Sequence, residues 1–91
     1  MKELDRDGTI ICDMTVRVNG VLHNPAQAII TIKDPVGLPV VDEEEMTREG
    51  TGKYYYDYNP APNAKRGCYQ VKCVAIEGLR STPIEGVFYL K

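Results

Sequence analysis

The residues best suited to chemistry are Cys12, His23, Cys68, Cys73 and Ser81, with a run of carboxylates at Asp42-Glu43-Glu44-Glu45. A nucleophile needs a base within hydrogen-bond reach. His23 is the sole histidine and Ser81 the sole serine, and they fall in separate turns. That placement gives no nucleophile–base pair, and His23 reads as a surface residue. A structural zinc site takes four convergent ligands. Cys12, His23, Cys68 and Cys73 supply the number, but Cys68 and Cys73 stand an odd number of positions apart on one alternating strand. Their sulfurs then leave opposite faces and cannot share an ion. A buried free cysteine acts instead as a small hydrophobe. Calcium loops space their ligands with Gly and Asn, whereas consecutive Glu side chains point apart. The acidic run is expected to be a solvated connection that guards a strand edge with charge. No catalytic, cofactor-binding or metal-binding residue is expected, and the chain is not expected to be an enzyme.

The remaining candidates are aromatic. Tyr54, Tyr56 and Tyr58 share one face of a strand by period two, so they point inward. Tyr55 and Tyr89 are expected to face outward and are the candidate binding residues. They could touch a protein partner, or stack on a sugar.

The elements that position these residues must fit in 91 residues, enough for one small domain. Apolar residues make up 43% and charged residues 26%, which suits a globular fold and argues against disorder. The net charge of −2 gives no electrostatic reason to expect nucleic acid or an anionic membrane as partner. It also offers little repulsion against self-association, so a monomer or weak homo-oligomer is expected. The start, Met1-Lys2-Glu3-Leu4-Asp5-Arg6-Asp7, is charged rather than signal-like, and no apolar run approaches the length of a membrane span. Three cysteines are an odd number for a stapled secreted domain. Reduced thiols are therefore expected, in the cytoplasm or in a particle. A single Cys12–Cys73 bridge is the alternative.

Turn signals recur at short intervals: Asp7-Gly8, Asn19-Gly20, Asn24-Pro25, Asp34-Pro35-Val36-Gly37, Gly50-Thr51-Gly52, Asn59-Pro60, Glu77-Gly78, and Pro83 with Gly86. No apolar period of 3.6 persists, so no substantial helix is expected. Seven strands are predicted, over 9–18, 27–33, 39–42, 46–48, 53–58, 68–76 and 84–90. Alternation sends Ile10, Cys12, Met14, Val16 and Val18 inward from the first. Ala28, Ile30 and Ile32 follow from the second, and Tyr69, Val71, Cys73 and Ala75 from the sixth. Gly37 and Gly78 sit where reversal needs a positive φ. Residues 1–8 carry five charges and no pattern, so a flexible arm is expected there, with the domain spanning 9–91.

Three segments carry a family resemblance. Ala64-Lys65-Arg66-Gly67-Cys68-Tyr69-Gln70-Val71 with Ala75 and Glu77-Gly78 resembles the late strands of Ig-like domains. Ile30 to Gly37 with Val40-Val41, and Gly52-Lys53-Tyr54-Tyr55-Tyr56, are similar to earlier strands of the same group. The group is the bacterial, archaeal and phage set near the macroglobulin and fibronectin type III types. The resemblance implies an all-β, Ig-like β-sandwich of about seven antiparallel strands, with Tyr69 as a tyrosine corner. It departs from antibody domains in lacking a Trp and in placing Val71 where the second core cysteine would stand. Short chains of this kind also resemble small prophage-encoded proteins. That implies a non-enzymatic structural or interaction module, such as a virion head or tail accessory protein. A carbohydrate-binding or adhesion-type module is the alternative.

Overall fold

The computed structural model describes residues 3–4, 9–61 and 63–90. They form ten strands and no helix: β1 (Glu3–Leu4), β2 (Ile10–Thr15), β3 (Arg17–Val18), β4 (Val21–Leu22), β5 (Gln27–Lys33), β6 (Pro39–Glu45), β7 (Thr47–Gly50), β8 (Lys53–Tyr58), β9 (Gly67–Glu77) and β10 (Arg80–Leu90). A five-stranded sheet has the order β1-β10-β9-β5-β6, a three-stranded sheet the order β2-β8-β7, and β3 pairs with β4. The pairings are antiparallel except that of β1, which runs parallel to β10 through Glu3↔Tyr89 and Leu4↔Leu90. The expected flexible arm falls mostly outside the described residues. Glu3 and Leu4, within it, are paired.

Ten strands replace the expected seven for local reasons. The first expected strand is cut at Val16, whose N–H donates to the Gly52 carbonyl at 2.7 Å. The chain then makes a small hairpin across Asn19-Gly20, with φ of 52° and 80°. Two consecutive positive φ values are the geometry of a tight hairpin turn. Val18, expected in the core, is therefore exposed. β10 begins at Arg80, not Ile84, because it pairs with β9 without interruption from Arg80↔Glu77 to Leu90↔Gly67. Pro83 and Gly86, read as turn signals, lie inside that strand. Proline is tolerated in an edge strand, where one side makes no ladder.

The acidic run is a strand rather than a loose connection. It completes β6, at the edge of the five-stranded sheet. Between Ile32↔Val41 and Ile30↔Glu44, two residues of β6 oppose one of β5. This is a bulge, with Glu43 at φ 49° and its N–H bonded to the Thr31 hydroxyl at 3.2 Å. Bulge and carboxylates together blunt the edge against pairing. The bulge also sets Glu44 opposite inward-facing Ile30, so its carboxylate accepts a hydrogen bond from Tyr56 in the other sheet. Glu44 and burial hold the Tyr56 phenol at about 12.

The two larger sheets share one core. Ile10, Met14, Tyr54 and Tyr58 come from the three-stranded sheet; Ile30, Ile32, Tyr69, Phe88 and Leu90 come from the five-stranded one. Tyr69 is 1% exposed and stacks on Phe88 with ring centroids 5.1 Å apart. Tyr58 tilts against both rings, at 6.5 Å and 6.4 Å. The Tyr69 hydroxyl donates to the Lys65 carbonyl at 2.7 Å, which gives its polar tip a partner inside the core.

Asp34 is the one buried charged side chain among the described residues. Its Oδ1 accepts the N–H groups of Val36 and Leu38, at 3.1 Å and 2.9 Å, and Lys65 lies 3.6 Å away. Burial opposes its ionisation. The Leu38 and Val36 amides and the Lys65 ammonium outweigh burial and hold the carboxyl below its usual range. The reversal is completed by Gly37, and both Gly37 and Gly78 have the expected positive φ.

Candidate contact surface

The layers are closed on one side and open on the other. On the closed side, β6 passes to β7 through a single residue, Met46. Met46 is buried, and its N–H donates to the Ala28 carbonyl at 2.9 Å. On the open side, β2 and β10 face each other across the gap between the sheets. Among the described residues, β2 pairs with β8 alone. Among the described residues, β10 over Arg80–Val87 likewise pairs with β9 alone, and β1 meets it at Tyr89 and Leu90.

A crevice of about 470 Å³ runs along this open side. Its walls include Ile10, Cys12, Val71, Cys73, Ile84 and Phe88. One residue explains the opening. Inward positions on β10 alternate through Gly86, Phe88 and Leu90, and Gly86 stands opposite Val71 of β9. With no side chain at 86, Val71 stays partly uncovered. A Cβ built on Gly86 would meet nothing within 4 Å. The rims carry Ile11, Ile84 and Val87, which are 68%, 41% and 51% exposed. The charged residues lining the crevice are Asp13 and Glu85, both acidic.

Cys12 and Cys73 line this opening, while Cys68 lies outside it. Cys73 is buried, while Cys12 and Cys68 are half-buried, and all three are free thiols. Cys12 was expected to be buried, but β2 borders the open crevice. Cys68 was expected to be exposed, but its cross-strand neighbour on the outer face is Tyr89. Burial, helped by Cys73 and nearby Asp13, pushes the Cys12 thiol up to about 11. Burial and Asp13 raise that of Cys73 as well.

The two tyrosines singled out by the sequence do not meet. Tyr55 lies in the middle strand of the three-stranded sheet and is half-buried beside Asp13 and Thr47. Tyr89 lies on β10 of the five-stranded sheet and is 36% exposed. They belong to different layers and form no single patch. Val87 and Tyr89, two positions apart on one strand, do share an outer face. His23 meets a partner that the sequence did not suggest: its Nε2 contacts Glu77 Oε2, at the end of β9. Ser81, at the start of β10, pairs with Ile76 beside Glu77 but takes no part in that contact. Among the described residues, no group of three or more His, Cys, Asp or Glu side chains is arranged to hold a metal ion. No helix there is long and apolar enough to cross a membrane.

The crevice and the Gly86 gap escaped sequence reading because alternation assigns faces, not free edges. The available signal was a glycine at an inward position of the last strand.

Comparison with family models, with curated proteins and with solved structures found no match.

Proposed function

We propose that the chain is an Ig-like β-sandwich acting as a non-enzymatic protein-contact module. Strand order supports the fold assignment. Ig-like domains pair their second, fifth and fourth strands in one sheet and their third, sixth and seventh in the other. The orders β2-β8-β7 and β5-β9-β10 fit those places. The bond from Tyr69 to a carbonyl four residues upstream fits a tyrosine corner.

The observation that carries the contact role is the run of apolar groups along β10 and its facing rim. Val87 and Tyr89 are exposed on one outer face, and Val87 also borders the crevice with Ile84 and Ile11. Contiguous exposed apolar and aromatic groups mark interaction sites more often than isolated ones do. The resemblance to prophage-encoded proteins extends the proposal to a virion accessory role, which a gene position among head and tail genes would support.

Affinity capture from the producing cell tests the reading. The double change Val87→Ser, Tyr89→Ser is expected to lower recovery of a specific protein partner at least tenfold. Tyr55→Ser reports on the opposite layer. A parent protein that holds no protein partner, yet shows saturable ring shifts at Tyr55 or Tyr89 with glycans, would overturn the proposal in favour of a carbohydrate-binding module.

A further inference from the structure

We propose that the crevice between β2 and β10 receives an extended segment of a partner protein, added as a fourth strand along β2. The segment is apolar at alternate positions and carries Lys or Arg between them. This rests on the reading of the chain as a contact module and names the surface and the chemistry of the partner.

Three observations set that chemistry. The first is the backbone of β2. Ile10–Thr15 pairs with β8 on one side and has no ladder on the other among the described residues. A row of unpaired N–H and C=O groups is a template for another extended chain. The opposite rim is a poorer template, because Pro83 has no N–H to donate and β1 already occupies Tyr89 and Leu90. The pairing of β1 shows that the open side accepts a strand at one end.

The second is shape. A strand laid along β2 sends every other side chain between the sheets. There it meets Ile10, Cys12, Val71 and Phe88 in the space that Gly86 leaves vacant. Those side chains must be apolar. The third is charge. Among the described residues the lining carries Asp13 and Glu85 and no Lys or Arg. Glu85 faces Lys72 across the β9–β10 pair, so Asp13, on β2 itself, is the charge left for a partner to meet. The residues between the apolar ones are therefore basic, by charge complementarity. The same charge argues against a second copy of this chain entering through its β6 edge, which carries Asp42, Glu43, Glu44 and Glu45.

The experiment uses the full chain, labelled for amide NMR, and the blocked peptide Lys-Val-Lys-Val-Lys-Val-Lys. Saturable shifts are expected at Ile10–Thr15 and at the Gly86 region. The same peptide with Glu in place of Lys is expected to bind at least tenfold more weakly. So is a peptide of the same composition with its valines grouped together. Gly86→Val fills the gap from a position where an added Cβ has room. It is expected to weaken binding at least tenfold while the amide spectrum of the fold persists. Gly86→Ala gives a smaller loss and serves if the larger residue impairs folding.

Several results would overturn the proposal. These are no saturable shift at millimolar peptide, equal binding by the grouped peptide, undiminished binding by folded Gly86→Val, or shifts confined to Asp42–Glu45. If partner capture through Val87 and Tyr89 survives such a result, the crevice assignment fails and the contact-module reading stands. If capture fails as well, both fall.

Discussion

Tyr69 offers the sharpest test of the core, because two substitutions separate its ring from its hydroxyl. Tyr69→Phe keeps the stack on Phe88 at 5.1 Å and the tilt against Tyr58 at 6.5 Å. It removes the hydrogen bond to the Lys65 carbonyl. The expected cost is about 1 kcal/mol, the net worth of one such bond. For a domain of this size that lowers the melting temperature by roughly 4–8 °C. Tyr69→Ala removes the ring as well, from a site that is 1% exposed. Its expected cost is about 3–5 kcal/mol, the range for truncating a buried aromatic. That is a large part of the total stability of a small domain, so Tyr69→Ala is expected to be mostly unfolded at 37 °C. Urea titration followed by far-UV circular dichroism gives both values. An alanine variant that melts like the parent would remove Tyr69 from the core. A phenylalanine variant as damaged as the alanine one would show that the hydroxyl, not the ring, is the anchor.

Gly52→Ala is expected to destabilise strongly, because a Cβ there would stand 2.7 Å from the Val16 carbonyl oxygen at a φ of +71°; a parent-like melting curve would refute this. The Tyr56 phenol, at about 12, keeps its proton in the fold while the unfolded chain loses it near 10. Its contribution to stability is complete below pH 10 and is lost as pH rises through 12, and Glu44→Gln should bring the ultraviolet titration of Tyr56 down. Asp34 works in the opposite sense: its lowered pKa adds stability above the unfolded value, lost as pH falls through the folded one. Asp34→Asn should therefore flatten the acid limb of the stability–pH curve. Thiol titration of the native protein should find Cys68 fastest and Cys73 slowest, with Cys12 slowed by its protonated thiol at about 11; three equally fast groups would contradict the packing.

The strands legible in the sequence are those whose alternation is written in side chains. β5 and β8 have the expected ends, because Ala28, Ile30 and Ile32, and Tyr54 and Tyr58, mark one face throughout. β6 is longer than expected because its second half is held by backbone pairing and a bulge, while its side chains are uniformly acidic. β1 and β4 span two residues each, too short for any period to show. Tyr69 was readable as a fold determinant from its motif, whereas the meeting of His23 with Glu77 was not. That pair joins residues 54 positions apart and depends on how a loop folds back over the end of β9. Tyr55 and Tyr89 were each assigned an outward face, but a single strand's period cannot say which sheet that strand joins.

The strand order also has a consequence for synthesis on the ribosome. β5 is flanked by β6 and β9. Its hairpin with β6 can close as soon as both have emerged. Its other edge must wait about thirty residues, until β9 follows. At roughly 5–20 residues per second, Ile30 and Ile32 stay uncovered for seconds. During that interval the carboxylates of β6 guard one edge of the hairpin against pairing with a neighbouring nascent chain, which leaves the β5 edge as the one exposed edge. Neutralising Asp42, Glu43 and Glu45 would therefore lower the soluble yield in cells more than it lowers the melting temperature of the protein that survives.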